Sequence, residues 1–361
     1  MSDQQARIGR WVRPAVQALK AYHVQPAART IKLDAMENPY HWSEEMVDAW
    51  LARLRQVELN RYPDPAAAGL KTRLREAMGV PAESELMLGN GSDELILLLA
   101  LALGGAGKTV LAPGPSFVMY RIIAAMAGLE YREVALRAEG FELNLPAMLA
   151  AMEEQPPAVV YLAYPNNPTG NLFRREDIET IIERAPGVVV VDEAYFAFAG
   201  DSFMADLTRY PQLLVMRTVS KMGLAGLRLG LLAGHPDWLA QLEKCRLPYN
   251  INVLTQASAE FALDHRAVLE EQSARIRRDR EGLMSELAAI PGLQPFPSQA
   301  NFIAFRVPPG RAGELHGALR ERGVLVKNLH GSDPQLADCL RVTVGTPEEN
   351  AAFLQALKAS L

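Results

Sequence analysis

Short apolar runs punctuate the first two thirds of the chain: 158–163 and 188–191 are unbroken, and 213–219 is apolar apart from Arg217 and Thr218. Runs of that length predict strands buried on both faces. Shorter strands are predicted at 28–33, 85–88, 109–112 and 131–134, and a further one at 227–233. Between them lie segments with apolar residues at helical spacing, at 44–57, 70–78, 120–126 and 177–184. Strand followed by helix, repeated, predicts an α/β fold with a mainly parallel sheet flanked by helices. In such sheets ligands bind outside the carboxyl ends of the strands. Asn167, Asp192 and Lys221 each fall just there.

After Pro248 the pattern changes. Residues 255–287 are helix-rich and predict a long connecting helix. A strand at 301–307, a helix at 310–322, short strands at 324–326 and 340–344, and a closing helix at 347–361 capped by Thr346 follow. This is the pattern of a smaller α+β domain. The organisation expected is an N-terminal arm and part of the small domain at 1–40, a large domain at 41–255, and a small C-terminal domain at 256–361.

Composition narrows the class. The chain is 49% hydrophobic and 22% charged, as ordinary globular proteins are. The formal net charge is -5, and the densest basic stretch, 275–280, is broken by Ile276 and Asp279. Neither nucleic acid nor a membrane is therefore an expected partner. Two cysteines, Cys245 and Cys339, without a C-x-x-C pair, argue against a disulfide framework or a structural metal. The first ten residues lack the apolar centre of a signal peptide, so a cytoplasmic location is expected.

Candidate chemistry centres on residues 219–230, V-S-K-M-G-L-A-G-L-R-L-G. Ammonium groups are strongly hydrated, so Lys221 among small and apolar residues stands out. Partly desolvated, its amine has a lowered pKa and is a nucleophile able to form a Schiff base. The plainer alternative is a loop lysine with its head in water. Upstream, G-N-G-S-D-E is a glycine turn running into an apolar helix, with Ser92 or Asp93 near the N-cap. The free N–H groups at Gly91, Ser92 and Asp93 suit a phosphate, or simply begin a capped core helix. Were Lys221 to hold an aldehyde cofactor, Asp192 would keep a pyridine nitrogen protonated. Asn167 and Tyr195 would bond a ring hydroxyl, Phe117 would stack on the ring, and Ser220 and Arg228 would hold a phosphate. Taken singly, each has a structural alternative: a cap for Asp192, a turn for Asn167, core packing for Tyr195 and Phe117, an acid partner for Arg228.

The motifs Y-P-N-N-P-T-G (164–170), D-E-A-Y (192–195), S-K-M-G-L-A-G-L-R-L-G (220–230) and L-R-V-T-V-G-T (340–346) resemble those of the fold-type-I pyridoxal-phosphate aminotransferases. R-Y-P-D-P (61–65), G-N-G-S-D-E (89–94) and V-L-V-K-N-L-H-G (324–331) extend the resemblance to the histidinol-phosphate branch of that family. The resemblance implies pyridoxal 5'-phosphate as cofactor. It makes Lys221 the Schiff-base lysine and proton carrier, with Asp192, Asn167, Tyr195, Phe117, Ser220, Arg228 and the 91–93 turn in the roles given above. It implies a homodimer with shared active sites, Tyr62 reaching the neighbouring subunit's phosphate. It also makes Arg341 the substrate-anion arginine, and suggests Lys327, Tyr22 and Asn38 as further substrate contacts. The activity implied is amino transfer between L-histidinol phosphate and 2-oxoglutarate. A threonine-phosphate decarboxylase-like lyase and an aromatic amino-acid aminotransferase are the alternatives.

Overall fold

The structure, a computed structural model, describes residues 3–21, 30–105 and 107–361. Its strands in chain order are β1 (Ile31–Leu33), β2 (Glu85–Gly89), β3 (Thr109–Gly114), β4 (Glu130–Ala135), β5 (Val159–Ala163), β6 (Val188–Asp192), β7 (Leu213–Thr218), β8 (Gly230–Gly234), β9 (Gln294–Pro295), β10 (Phe302–Arg306), β11 (Val324–Asn328) and β12 (Cys339–Thr343).

Seven strands form the larger sheet, ordered β2-β8-β7-β6-β5-β3-β4. All run the same way except β8, which is antiparallel to both β7 and β2. Every residue of β5, β6 and β7 is buried, which is why these strands are legible as apolar runs, interrupted only by Asp192 at the end of β6 and by Arg217 and Thr218 at the end of β7. Successive side chains point to opposite faces. Val189 and Val191 join a core with Leu70, Leu74 and Ile178, whereas Val188 and Val190 join another with Leu95, Leu99 and Ile123. The edge strand β4 is half-exposed and carries Glu130, Arg132 and Glu133, charges that oppose pairing with another sheet edge.

The smaller sheet is ordered β1-β11-β12-β10-β9, with β1 parallel to β11 and the other pairs antiparallel. Its core holds Phe302, Phe305, Leu315, Leu319 and Phe353. The helix Arg266–Ala288 serves both sheets. Leu269 packs in a core of the larger one, and Ile276, Leu283 and Leu287 pack in that of the smaller. The closing helix, Pro347–Lys358, begins with the expected cap. Thr346 Oγ1 accepts the Glu349 N–H at 3.2 Å and the Glu349 carboxylate accepts the Thr346 N–H at 2.9 Å.

Several boundaries differ from expectation. The strand expected at 28–33 is Ile31–Leu33, residues 28 and 29 lying outside the described residues. That expected at 227–233 starts later, because Ala225–Leu227 is a 3-10 turn. Helices at Asp3–Trp11, Leu145–Glu154 and Pro236–Leu242 had no expectation. The helix Ser92–Leu103 has Gly91 as its N-cap, at a φ of 81°, with Ser92 and Asp93 in the first turn beside it. Among the described residues no helix is long and apolar enough to cross a membrane, and no cluster of metal-ligating side chains occurs.

Candidate active site

A cavity of about 370 Å³ opens at the carboxyl ends of the parallel strands. Asp192 ends β6, Asn167 follows β5, and Ser220 and Lys221 follow β7. Arg228 precedes β8 and reaches the same rim because β8 runs backwards. Phe117 and Tyr195 complete the wall.

Lys221 Nζ lies 3.4 Å from the Ala35 carbonyl oxygen and 5.8 Å from the Tyr195 ring centre. Burial pulls its pKa down to about 8, and the Arg341 and Arg228 guanidiniums add to the effect while Glu37 and Asp93 oppose it. A sizeable fraction of the amine is then neutral near physiological pH, as a Schiff-base nucleophile requires. Asp192 is shifted the other way. Burial raises its pKa to about 6, against the hydrogen bonds it accepts from Tyr120 and from the Ala194 N–H.

At the opposite end, Gly91 and Gly230 let two backbone segments and the Arg228 side chain converge. A Cβ on Gly230 would lie 2.7 Å from the Gly91 carbonyl carbon and 2.8 Å from the Ser92 nitrogen. One on Gly91 would lie 2.7 Å from Arg228 Nη2. Arg228, itself at a φ of 50°, also pairs with Asp93 Oδ2 at 3.3 Å, so its guanidinium meets an acid as well as facing the cavity. The Ser220 and Thr218 hydroxyls lie 2.8 Å apart. An anion fits between Arg228, Ser220 and the start of the Ser92 helix. The donor set thus suits a pyridine ring with an aldehyde at Lys221, its nitrogen at Asp192 and its phosphate arm at Arg228.

A second chamber, about 310 Å³, shares Met36, Phe117 and Asn167 with the first. Here Lys327 and Arg341 stand opposite each other in the β11–β12 register. Burial lowers the Lys327 pKa and the Arg341 charge lowers it further. Arg341 donates to Asn167 Oδ1 at 2.5 Å and to the Asp34 carbonyl at 3.1 Å. The Asn167 Oδ1 is thus taken by Arg341, and its Nδ2 is the donor end of that side chain.

Asn38, expected at the substrate, lines neither chamber. Asn38 is spent elsewhere: its amide donates to the Met222 carbonyl (3.1 Å) and Gln272 Oε1 (3.0 Å), bracing the turn that carries Lys221 rather than reaching a substrate. Tyr62 is 81% exposed and stacks on Tyr249 with ring centres 4.5 Å apart, away from the cavity of its own chain. Tyr22 lies outside the described residues. Conversely, sequence reasoning overlooked Tyr120, Glu193 and Arg217. Tyr120 sits in a helix where an aromatic residue reads as core, and Glu193 and Arg217 take their meaning from partners distant in the chain.

Residues 28–357 match the aminotransferase class I and II family. The chain is 60% identical over 353 residues to histidinol-phosphate aminotransferase 2 of Nitrosococcus oceani, covering 98% of each. It is 54% identical over 359 residues to histidinol-phosphate aminotransferase 1 of Ralstonia nicotianae, covering 98% of this chain and 95% of that one. Its fold is similar to that of histidinol-phosphate aminotransferase from Sinorhizobium meliloti in complex with pyridoxal-5'-phosphate, with a TM-score of 0.86, 24% identity and 96% of each chain covered. It is also similar to the fold of L-threonine-O-3-phosphate decarboxylase from Porphyromonas gingivalis, with a TM-score of 0.76, 22% identity, and 91% of this chain and 98% of that one covered. With a family match over nearly its whole length and a lysine, an aspartate and an anion cradle set around one cavity, the chain belongs to the class I and II aminotransferases.

Proposed function

We propose that the protein is a pyridoxal-phosphate-dependent transaminase that moves an amino group between L-histidinol phosphate and 2-oxoglutarate, giving imidazole acetol phosphate and L-glutamate, in L-histidine biosynthesis. The observation that carries the choice of substrate is the opposed pair Lys327 and Arg341, which line a chamber sharing Met36, Phe117 and Asn167 with the Lys221 cavity. A phosphate arm carries more charge than a carboxylate and calls for more than one cation. Arg341 alone suffices for the α-carboxylate of glutamate. The identities to the Nitrosococcus and Ralstonia proteins support the same substrate.

The cofactor supplies an electron-withdrawing ring that stabilises negative charge at the substrate carbon. The chain's own residues do the rest. Lys221 Nζ, with its lowered pKa, would be the base that takes the proton from the amine-bearing carbon and the group that carries it. Asp192 pairs with the ring nitrogen; Asn167 and Tyr195 orient the ring hydroxyl; Phe117 covers a ring face; Arg228, Ser220 and the Gly91–Asp93 turn hold the phosphate. Tyr62, exposed on its own subunit, belongs to the site of a second copy, and the working form is a homodimer.

The test is direct. Purified holoenzyme mixed with histidinol phosphate and 2-oxoglutarate should form glutamate at a rate dependent on both. Release of carbon dioxide from threonine phosphate, without glutamate formation from histidinol phosphate, would overturn the assignment. Lys221→Ala should abolish turnover.

A further inference from the structure

Asp192 is held by two donors, and one comes from outside every motif that marks the site. Its Oδ1 accepts the Ala194 N–H at 3.1 Å; its Oδ2 accepts the Tyr120 hydroxyl at 2.7 Å. Tyr120 is completely buried. Its ring stacks on Tyr161 with centres 4.5 Å apart and planes 7° from parallel, and it meets the Phe117 ring edge-on at 5.5 Å. The phenol is therefore clamped on two sides. Burial, reinforced by the Asp192 charge, lifts its pKa well above the ordinary phenol value, so it stays protonated and acts as a donor.

The carboxylate needs that donor. Asp192 is buried, and the carboxylates of Asp93 and Glu193 both disfavour its charge. A buried carboxyl in such company relieves its desolvation by taking a proton. A protonated Asp192 could not pair with a pyridinium. The Ala194 N–H stabilises one oxygen, and the Tyr120 hydroxyl stabilises the other and fixes the rotation of the group.

We propose that Tyr120 is a positioning residue for the cofactor's ring nitrogen: it holds the Asp192 carboxylate ionised and oriented, and through Asp192 alone it contributes to cofactor affinity. This rests on the transaminase reading only in that pyridoxal phosphate occupies the cavity; the amino substrate does not enter. Phe117 meets Tyr120 edge-on and would cover a face of the cofactor ring, but discrimination for the ring nitrogen passes through the Tyr120 hydroxyl.

Tyr120→Phe removes that hydroxyl and keeps the ring, so the contacts with Tyr161 and Phe117 survive. The measurement is the dissociation constant of the apo protein for pyridoxal phosphate, and for an analogue in which a C–H replaces the ring nitrogen, both followed by quenching of intrinsic fluorescence. Loss of a hydrogen bond to a charged group should weaken pyridoxal phosphate about tenfold or more. Binding of the analogue, which has no nitrogen for Asp192 to meet, should stay within about twofold on the same reasoning. An equal loss for both ligands would mean that Tyr120 merely supports the fold, and would overturn the proposal. So would an unchanged affinity for pyridoxal phosphate. Should Tyr120→Phe fail to fold, Tyr120→Met carries the test through the ratio of the two affinities alone, since the lost ring contacts weaken both ligands alike: a ratio shifted about tenfold supports the proposal, and an unchanged ratio overturns it. A wild-type protein that binds no pyridoxal phosphate would overturn this proposal together with the transaminase reading, whereas binding without histidinol-phosphate turnover would leave this one standing.

Discussion

Replacing Arg217 by methionine should destabilise the protein far more than the loss of a surface charge would. Arg217 is 5% exposed and its partner Glu193 is fully buried. The guanidinium donates through Nε to Glu193 Oε2 at 2.8 Å, through Nη1 to the Met78 carbonyl at 2.8 Å, and through Nη2 to Ser202 Oγ at 2.7 Å. Glu193 also accepts the Phe203 N–H at 2.6 Å. Removing the cation leaves an uncompensated carboxylate in the interior, which costs roughly 3–5 kcal/mol. Urea unfolding of Arg217→Met at fixed protein concentration measures it. With a slope of about 3 kcal/mol per M, the midpoint should fall by about 1 M or more. Replacing both members by apolar residues, Arg217→Met with Glu193→Leu, should recover most of the loss, since the charge to be desolvated is then gone. Burial already raises the Glu193 pKa, against the opposing pull of Arg217. Without Arg217 the shift grows. A carboxyl whose folded pKa lies above its unfolded value favours the fold below the ordinary carboxylate range and loses that contribution as pH rises through the folded pKa. The deficit of Arg217→Met should therefore be largest at neutral pH and shrink on acidification. A loss below about 1 kcal/mol, the scale of an exposed pair, would refute the reasoning, as would a double variant no better than the single one. Because Glu193 adjoins Asp192 and Arg217 lies near the end of β7, cofactor affinity should fall along with stability in the single variant.

Two further outcomes follow from the site. Acylation of Lys221 in the apo protein by a small amine-selective reagent should rise with pH around a midpoint near 8, because the amine is neutral only above its lowered pKa; a midpoint near the ordinary lysine value would show that the cavity does not desolvate it. Tyr62→Phe should leave the melting temperature of the apo protein almost unchanged, since the ring is 81% exposed, yet weaken pyridoxal phosphate binding by about tenfold if it serves a partner's site; unchanged affinity would remove Tyr62 from the site.

Where the chain's physics is local, the sequence speaks plainly. Strands such as Val159–Ala163 and Val188–Asp192 are buried on both faces and need no partner to be recognised. The direction of Gly230–Gly234 is another matter, because an apolar run reads the same in either sense. The helix Asp3–Trp11 has no buried face among its described side chains, so no core-facing stripe announces it. Lys221, Asp192 and Asn167 stand out as polar residues at strand ends, and the structure gathers them around one cavity. Tyr120, Glu193 and Arg217 do not stand out. Tyr120 is defined by Asp192, many residues away, and nothing near it in the chain distinguishes a donor from a core aromatic. Asn38 illustrates the converse: the resemblance suggests a substrate contact there, but Met222 and Gln272 accept from its amide.

The reversed strand β8 also sets a limit on how this chain can change length. Thr218 pairs with Gly230, the Val219 N–H reaches the Leu229 carbonyl at 3.2 Å, and the Thr218 hydroxyl reaches it at 3.0 Å. The backbone between them is a closed ring carrying Lys221 on one arm and Arg228 on the other. Near its closing end, the Leu227 carbonyl is tethered to the Thr255 hydroxyl at 3.1 Å. One residue gained or lost inside that ring would change the span between amine and guanidinium, and with it the size of the molecule that can bridge them. Insertions are better tolerated at exposed turns outside the sheet. The loop after β7 works as a caliper set to one length.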